Sequence, residues 1–215
     1  MGVSSLVLDP VKVLVGLAVL WAVVALAYQV LAAWGGGRAD YSRRAGSAAR
    51  GVAFSFTVAM TPRHKESVRR HPAKFAIGVV MHVGVILSLL GVLLLLVWPA
   101  AAHKVLSLSR PVIALSLVAG LYLLVRRAVS KDLRAMSAPD DYMAILATCV
   151  LLALASVYSS YSVGAVVCMI YAALLFVYLP LGKLRHAVFC FVARGDLGRR
   201  LGRRGTYPSA TGRMV

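Results

Sequence analysis

Residues 75–98, FAIGVVMHVGVILSLLGVLLLLVW, are 24 consecutive positions without a charged side chain. A run of roughly 20 apolar residues crosses a hydrocarbon core about 30 Å thick. Inside that core, water cannot satisfy backbone N–H and C=O groups, so only helices and closed barrels cross it. Further runs of the same kind occur elsewhere in the 215 residues. The composition agrees: with 60% hydrophobic residues, 14% charged ones and a mean hydropathy of +0.83, a water-soluble domain would lack the polar surface to cover itself. Aromatic residues are modest in number and turn signals sparse, which favours helices over alternating strands. The expected fold is an all-α integral membrane protein, a bundle of five transmembrane helices in a single domain over residues 1–215.

The five spans fall at about 13–34, 75–98, 111–125, 142–158 and 163–192, by length and hydropathy. A glycine run follows the first, which carries Trp21, Tyr28 and Trp34 as interface anchors. Pro99 is expected to stop the second span and Pro111 to open the third. "SAPDD" precedes the fourth, and the fifth is read as continuing past Pro180. Residues 35–74 form a basic loop and 193–215 a basic tail, and no linker is long enough to hide a separate soluble domain. The first run is read as a retained span, because it is long and no small-residue cleavage site interrupts it.

The net charge of +17 is not a nucleic-acid signal, since the basic residues cluster between apolar runs. Of the Lys and Arg residues, 21 lie between spans one and two, between spans three and four, or at the end of span five and beyond. Only Lys12, Lys104 and Arg110 lie on the other side. The positive-inside rule then places the N-terminus outside and the C-terminus in the cytoplasm, in a multi-pass protein of the cell's inner (cytoplasmic) membrane. The three cysteines, Cys149, Cys168 and Cys190, form no CxxC or CxxCH pattern. They support no disulfide framework, iron–sulfur cluster or covalently attached haem, so iron–sulfur chemistry would belong to a partner subunit.

Of the five histidines, His64 and His71 fall in the basic loop or at its membrane edge, and His103 in a short outer loop. His82 lies within span two, about 10 Å deep at 1.5 Å per residue. His186 lies near the inner end of span five, in LPLGKLRHAVFCFV. Helix two leaves the cytoplasm and helix five returns to it, so the two imidazoles come to matching depths. Two neutral imidazoles on different helices at one depth are what the axial positions of a b-type haem iron require. Gly78, Gly84, Gly91 and Gly182 leave room for a flat macrocycle, or else mark close helix packing. A lone intramembrane histidine also serves simply as a hydrogen-bonding group between helices, at about 1 kcal/mol.

On LPLGKLRHAVF together with MHVGVILSLLG, the chain resembles the cytochrome b (gamma) subunit of respiratory nitrate reductase and its relatives. The stretch MTPRHKESVRRHPAKFAIGVVMHVGVI is more similar to the membrane cytochromes of heterodisulfide-reductase-like and dissimilatory sulfite-reduction-associated complexes. The resemblance covers most of the chain in length, span number and orientation, but only the two histidine segments are specific. It implies that His82 and His186 hold the haem nearer the cytoplasmic partner. The nitrate reductase subunit carries a second haem, with one ligand ten residues after the first on helix two and another eighteen before the last on helix five. Those positions are Val92 and Cys168 here. Valine cannot ligate, and Cys168 reads as a buried apolar cysteine, so the expectation is one haem b. The long outer connection between helices four and five is also missing, which puts an outer quinol pocket of that kind in doubt.

A quinone (menaquinone or ubiquinone) would instead react on the cytoplasmic side, near Lys65, Glu66, His71 and Lys74, where groups for proton exchange cluster. The alternative for RHKESVRRH is a solvated basic loop on anionic lipid. Arg126, Arg127 and Arg185 are candidate partners for haem propionates, or else ordinary positive-inside anchors. The tail RGDLGRRLGRRGTYPSATGRMV docks an acidic cytoplasmic subunit or anchors the topology. The leading expectation is a haem b subunit of a quinone-linked respiratory oxidoreductase complex. It would pass electrons between membrane quinone and a cytoplasmic iron–sulfur subunit and would not be catalytic alone on a soluble substrate. A haem-free membrane anchor or assembly subunit is the alternative. A small transporter is disfavoured, because the spans lack acidic residues and no paired broken helices mark a midplane site. Other membrane or periplasmic partners are left open.

Overall fold

The computed structural model describes residues 5–36, 41–61, 64, 66–158 and 163–208, with the side chains of 5, 6, 66 and 67 left aside. Among them the regular structure is helical. The helices are α1 (Ser5–Gly35), α2 (Ala48–Phe56), α3 (Glu66–Arg70), α4 (Pro72–Val97), α5 (Pro99–Val129), α6 (Lys131–Ala135), α7 (Pro139–Ser156), α8 (Val163–Tyr178) and α9 (His186–Arg203). Four stretches, Val7–Gly35, Pro72–Val97, Pro99–Val129 and Pro139–Ser156, are long and apolar enough to cross a membrane. A fifth is counted if Val163–Tyr178 and Lys183–Arg203 form one broken span. The chain is thus an all-helical protein with four to five candidate membrane-crossing helices.

Two helix starts differ from the sequence reading, each for a local reason. Pro99 does end α4, but it also opens α5 at once, because a proline at the first helical position gives up an N–H that has no partner there. Pro111 lies inside α5, where it costs one backbone hydrogen bond. The third span therefore begins twelve residues earlier than expected, and His103 sits on a helix rather than in an outer loop. The helix of the fourth span starts at Pro139, so Asp140 and Asp141 occupy its first turn, where carboxylates suit the helix dipole. The Asp141 carboxylate accepts from Ala138 N at 2.9 Å and closes that end.

The fifth span is not one helix. α8 ends at Tyr178, and Pro180 sits in the turn that separates it from the 3₁₀ turn Lys183–Arg185 and from α9. Leu181 N and Gly182 N both donate to Tyr178 O, at 2.9 and 3.0 Å. Asp140 fixes the far side of the turn: its carboxylate accepts from the Tyr178 hydroxyl and, at 2.8 Å, from Lys183 N.

Contacts divide the chain into two compact units, Met1–Ala25 with Phe75–Leu184, and Leu26–Lys74 with Arg185–Val215. In the first, α5 packs on α7 and α7 on α8. Its core includes Val15, Leu106, Ile113, Leu151, Leu152 and Met169, all essentially inaccessible. The outward faces of the same helices are also apolar, with Leu17, Ile86, Leu115, Val118 and Leu174 exposed, as lipid rather than water requires. Polar side chains tie neighbouring helices: Ser116 Oγ shares its proton between Val80 O and Val112 O, at 2.7 Å each, and Tyr171 donates to Ala147 O at 2.9 Å. Such bonds are worth about 0.6–2 kcal/mol in a membrane.

The second unit joins parts of the basic loop and tail. α2 is started by Ser47, whose hydroxyl accepts from Arg50 N at 3.4 Å. It lies against α9 with backbones nearly touching: a Cβ on Gly51 would come 2.2 Å from Gly198 O, and one on Gly202 2.6 Å from Ser47 O. Glycine is required at that approach because only a hydrogen fits. Ser55 Oγ donates to Arg194 O at 3.0 Å, and Arg194 Nη1 returns a bond to Ser55 O at 2.8 Å.

Candidate functional site

His82 lies on the outward face of α4, while the buried face runs through Met81, Gly84, Ser88, Gly91, Val92 and Leu95. Its Nδ1 is 2.7 Å from Gly78 O. A carbonyl only accepts, so Nδ1 is the donor, and in the neutral ring Nε2 carries the lone pair. A metal-ligating imidazole uses this arrangement, its second nitrogen fixed by donation to a backbone carbonyl.

The glycines of α4 divide into two kinds. At Gly84 an added Cβ would fall 2.3 Å from Ser116 Cβ, and at Gly91 2.4 Å from Leu106 Cδ2. These two mark close packing within the first unit. At Gly78, one turn before His82, a Cβ would meet nothing within 4 Å. Open volume beside an imidazole whose Nδ1 is held, on the uncharged stretch 75–97 of α4, fits one axial side of a haem. Gly182 is spoken for differently, since a Cβ there would sit 2.3 Å from the Tyr178 ring.

His186 is the first residue of α9, exposed, directly after the 3₁₀ turn. It belongs to the second unit and His82 to the first, and each is described within its own unit. Val92 and Cys168 are both fully buried in the core of the first unit.

Arg127 is engaged, its Nη1 lying 2.9 Å from Ser137 Oγ and 3.3 Å from Asp141 Oδ1. Arg126 is half-buried in the last turn of α5, and Arg185 is exposed at the start of α9. His71 and Lys74 are both exposed, His71 just before α4 and Lys74 in its first turn. Lys65 and the side chain of Glu66 lie outside the described residues. His64 Nδ1 is 2.9 Å from Thr61 Oγ1, and its ring stands edge-on to Phe54 at 6.3 Å. His103 is 2.7 Å from the Tyr158 hydroxyl and stacks on that ring at 5.7 Å, so it helps hold the end of α7 to the start of α5. Arg110 supports the same place, donating to Tyr158 O at 2.6 Å.

The residues that sequence reasoning passed over are Asp140, Tyr178 and Lys183. Lys183 Nζ also reaches Asp141 Oδ2 at 2.6 Å, so both carboxylates at the start of α7 hold the turn that precedes His186. The available signal was the acidic pair itself, since "PDD" places two carboxylates at the first turn of an apolar helix. No family model, curated protein or solved structure matches this chain.

Proposed function

We propose that the chain is the haem b-carrying membrane subunit of a respiratory oxidoreductase complex, related to the nitrate reductase gamma subunits and the sulfur-linked membrane cytochromes. In this reading His82 and His186 are the axial ligands of one haem b. The N-terminus lies outside and the C-terminus in the cytoplasm, in the inner membrane. The observation that carries the reading is His82: an imidazole in the uncharged apolar stretch 75–97 of α4, its Nδ1 proton held by Gly78 O at 2.7 Å, beside space that a methyl group would not fill.

A bound haem supplies a one-electron carrier in a low-dielectric setting, with a potential set by its ligands and surroundings. The protein's own contribution begins with Gly78, which fixes the orientation of His82 and raises the basicity of Nε2 through the Nδ1 bond. Asp140 holds the backbone three residues before His186. Arg126 and Arg185 are the cationic candidates for propionates, while Arg127 also serves Asp141. Quinone would exchange protons with His71, Glu66, Lys65 or Lys74 on the cytoplasmic side, and electrons would pass to or from an iron–sulfur partner subunit there.

A pyridine haemochrome assay on purified protein is expected to give about one haem b per chain. His82→Ala and His186→Ala are each expected to lose it while retaining helix content. Full haem occupancy in His82→Ala would sink the ligand assignment, and a carefully purified wild-type complex without a Soret band would favour the haem-free anchor.

A further inference from the structure

The second unit contains an open groove of about 770 Å³ whose lining includes Trp34 from α1, Val52 from α2, and Phe189 and Val192 from α9. Asp196, Arg199 and Arg200 supply its charged lining. On α9 these residues recur every three or four positions and so share one face of the helix. Along that face the lining changes from apolar to charged over eleven residues, about 16 Å at 1.5 Å per residue.

The charge does not cancel. Asp196 accepts from both Arg199 Nη2, at 3.0 Å, and Arg200 Nε, at 2.7 Å, so two guanidinium groups share one carboxylate. The described surroundings have the same sign: among the described side chains of this unit are 12 Lys and Arg, with Asp196 the one carboxylate. Trp34 lies in the last turn of the apolar helix α1 and is 62% exposed, and tryptophan in such a place sits at the headgroup level of a bilayer. A groove that opens beside an interfacial tryptophan and runs from apolar to cationic has the chemistry of an amphiphile with an acyl chain and an anionic head.

We propose that this groove binds an anionic phospholipid of the bilayer, with an acyl chain against Trp34, Phe189 and Val192 and its phosphate against Arg199 and Arg200. The proposal is independent of haem.

The test uses the full chain carrying Trp21→Phe and Trp98→Phe, which leaves Trp34 as the sole tryptophan, reconstituted with brominated lipids. At equal mole fraction, brominated phosphatidylglycerol is expected to quench Trp34 about fivefold more effectively than brominated phosphatidylcholine, the preference that one uncompensated charge near a membrane gives. Arg200→Gln is expected to bring the ratio close to one, while Arg44→Gln, away from the groove, leaves it unchanged. Equal quenching by the two lipids overturns the proposal, and so does an equal effect of Arg44→Gln, which would reduce the preference to general surface charge. Displacement of the brominated lipid by an uncharged quinone analogue would reassign the groove to a quinone. Native mass spectrometry of the unsubstituted chain provides a second reading, with one retained phosphatidylglycerol expected. Retention of phosphatidylcholine to the same extent counts against the site.

Discussion

Gly78 and Gly84 stand six residues apart on α4, and a methyl group would meet opposite surroundings at the two. At Gly84 it would press on Ser116, whose hydroxyl holds both Val80 O and Val112 O at 2.7 Å. Ser116 has no room to turn away without giving up one of those bonds. Gly84→Ala is expected to destabilise the protein by about 1–3 kcal/mol, the usual cost of overpacking, read as a lower thermal midpoint in detergent. Gly78→Ala is expected to leave that midpoint unchanged and to lower haem content, because the added methyl enters the space assigned to the macrocycle. A destabilised Gly78→Ala, or a wild-type-like Gly84→Ala, would contradict this division of roles. The sequence shows four glycines around the histidines and does not distinguish them. What a glycine is for depends on a neighbour from another helix, here Ser116 for Gly84 and Leu106 for Gly91, and apolar periodicity carries no record of that pairing.

At the scale of elements, the turn between α8 and α9 is tied to the acidic pair at the start of a third helix, with Asp140 holding the turn's backbone. Asp140, in the first turn of α7, accepts from the Tyr178 hydroxyl at the end of α8 and from Lys183 N just beyond it. Removing it leaves a backbone donor and a phenol without their acceptor. Asp140→Ala is expected to cost about 1–2 kcal/mol, at the low end for bonds to a charged acceptor because this turn is partly exposed. In the proposed reading it also shifts the haem midpoint potential, by loosening the segment that carries His186. Asp140→Asn keeps one acceptor oxygen and is expected to fall between the two in both measurements. An unchanged thermal midpoint in Asp140→Ala would show that the turn is held without Asp140, by Pro180, the backbone bonds and the Asp141–Lys183 pair. Little of this turn was legible in advance. The fifth span is read as continuing past Pro180, because the residues on either side are apolar enough to make one span. The carboxylate that holds the break lies 40 residues earlier than Pro180. Pro99 and Pro111 show a related difficulty. Each suits a first helical turn, and what separates them is that α4 has already ended at Val97.

Across the whole molecule, the membrane class was legible because long uncharged runs have few other folded solutions, whereas the count of crossings turns on the broken pair Val163–Tyr178 and Lys183–Arg203. The distribution of charge predicts how that count resolves. If the pair crosses as one broken span, α5, α7 and the pair make three crossings between Ala100 and the tail, and the two ends face opposite sides. If it re-enters, only α5 and α7 cross, and both ends face the same side. The loop and tail that carry most of the Lys and Arg share the second unit, and the positive-inside rule puts that charge in the cytoplasm. Ala100 and Thr206 are both exposed and suit single-cysteine reporters in a background where Cys190 is replaced by alanine and the buried Cys149 and Cys168 remain. Ala100→Cys is expected to react with a membrane-impermeant maleimide in intact spheroplasts, and Thr206→Cys only after permeabilisation. Labelling of both from outside would make the broken pair re-entrant and move the C-terminus out of the cytoplasm. That result would also remove the cytoplasmic setting in which His186, at the start of α9, was assigned its ligand.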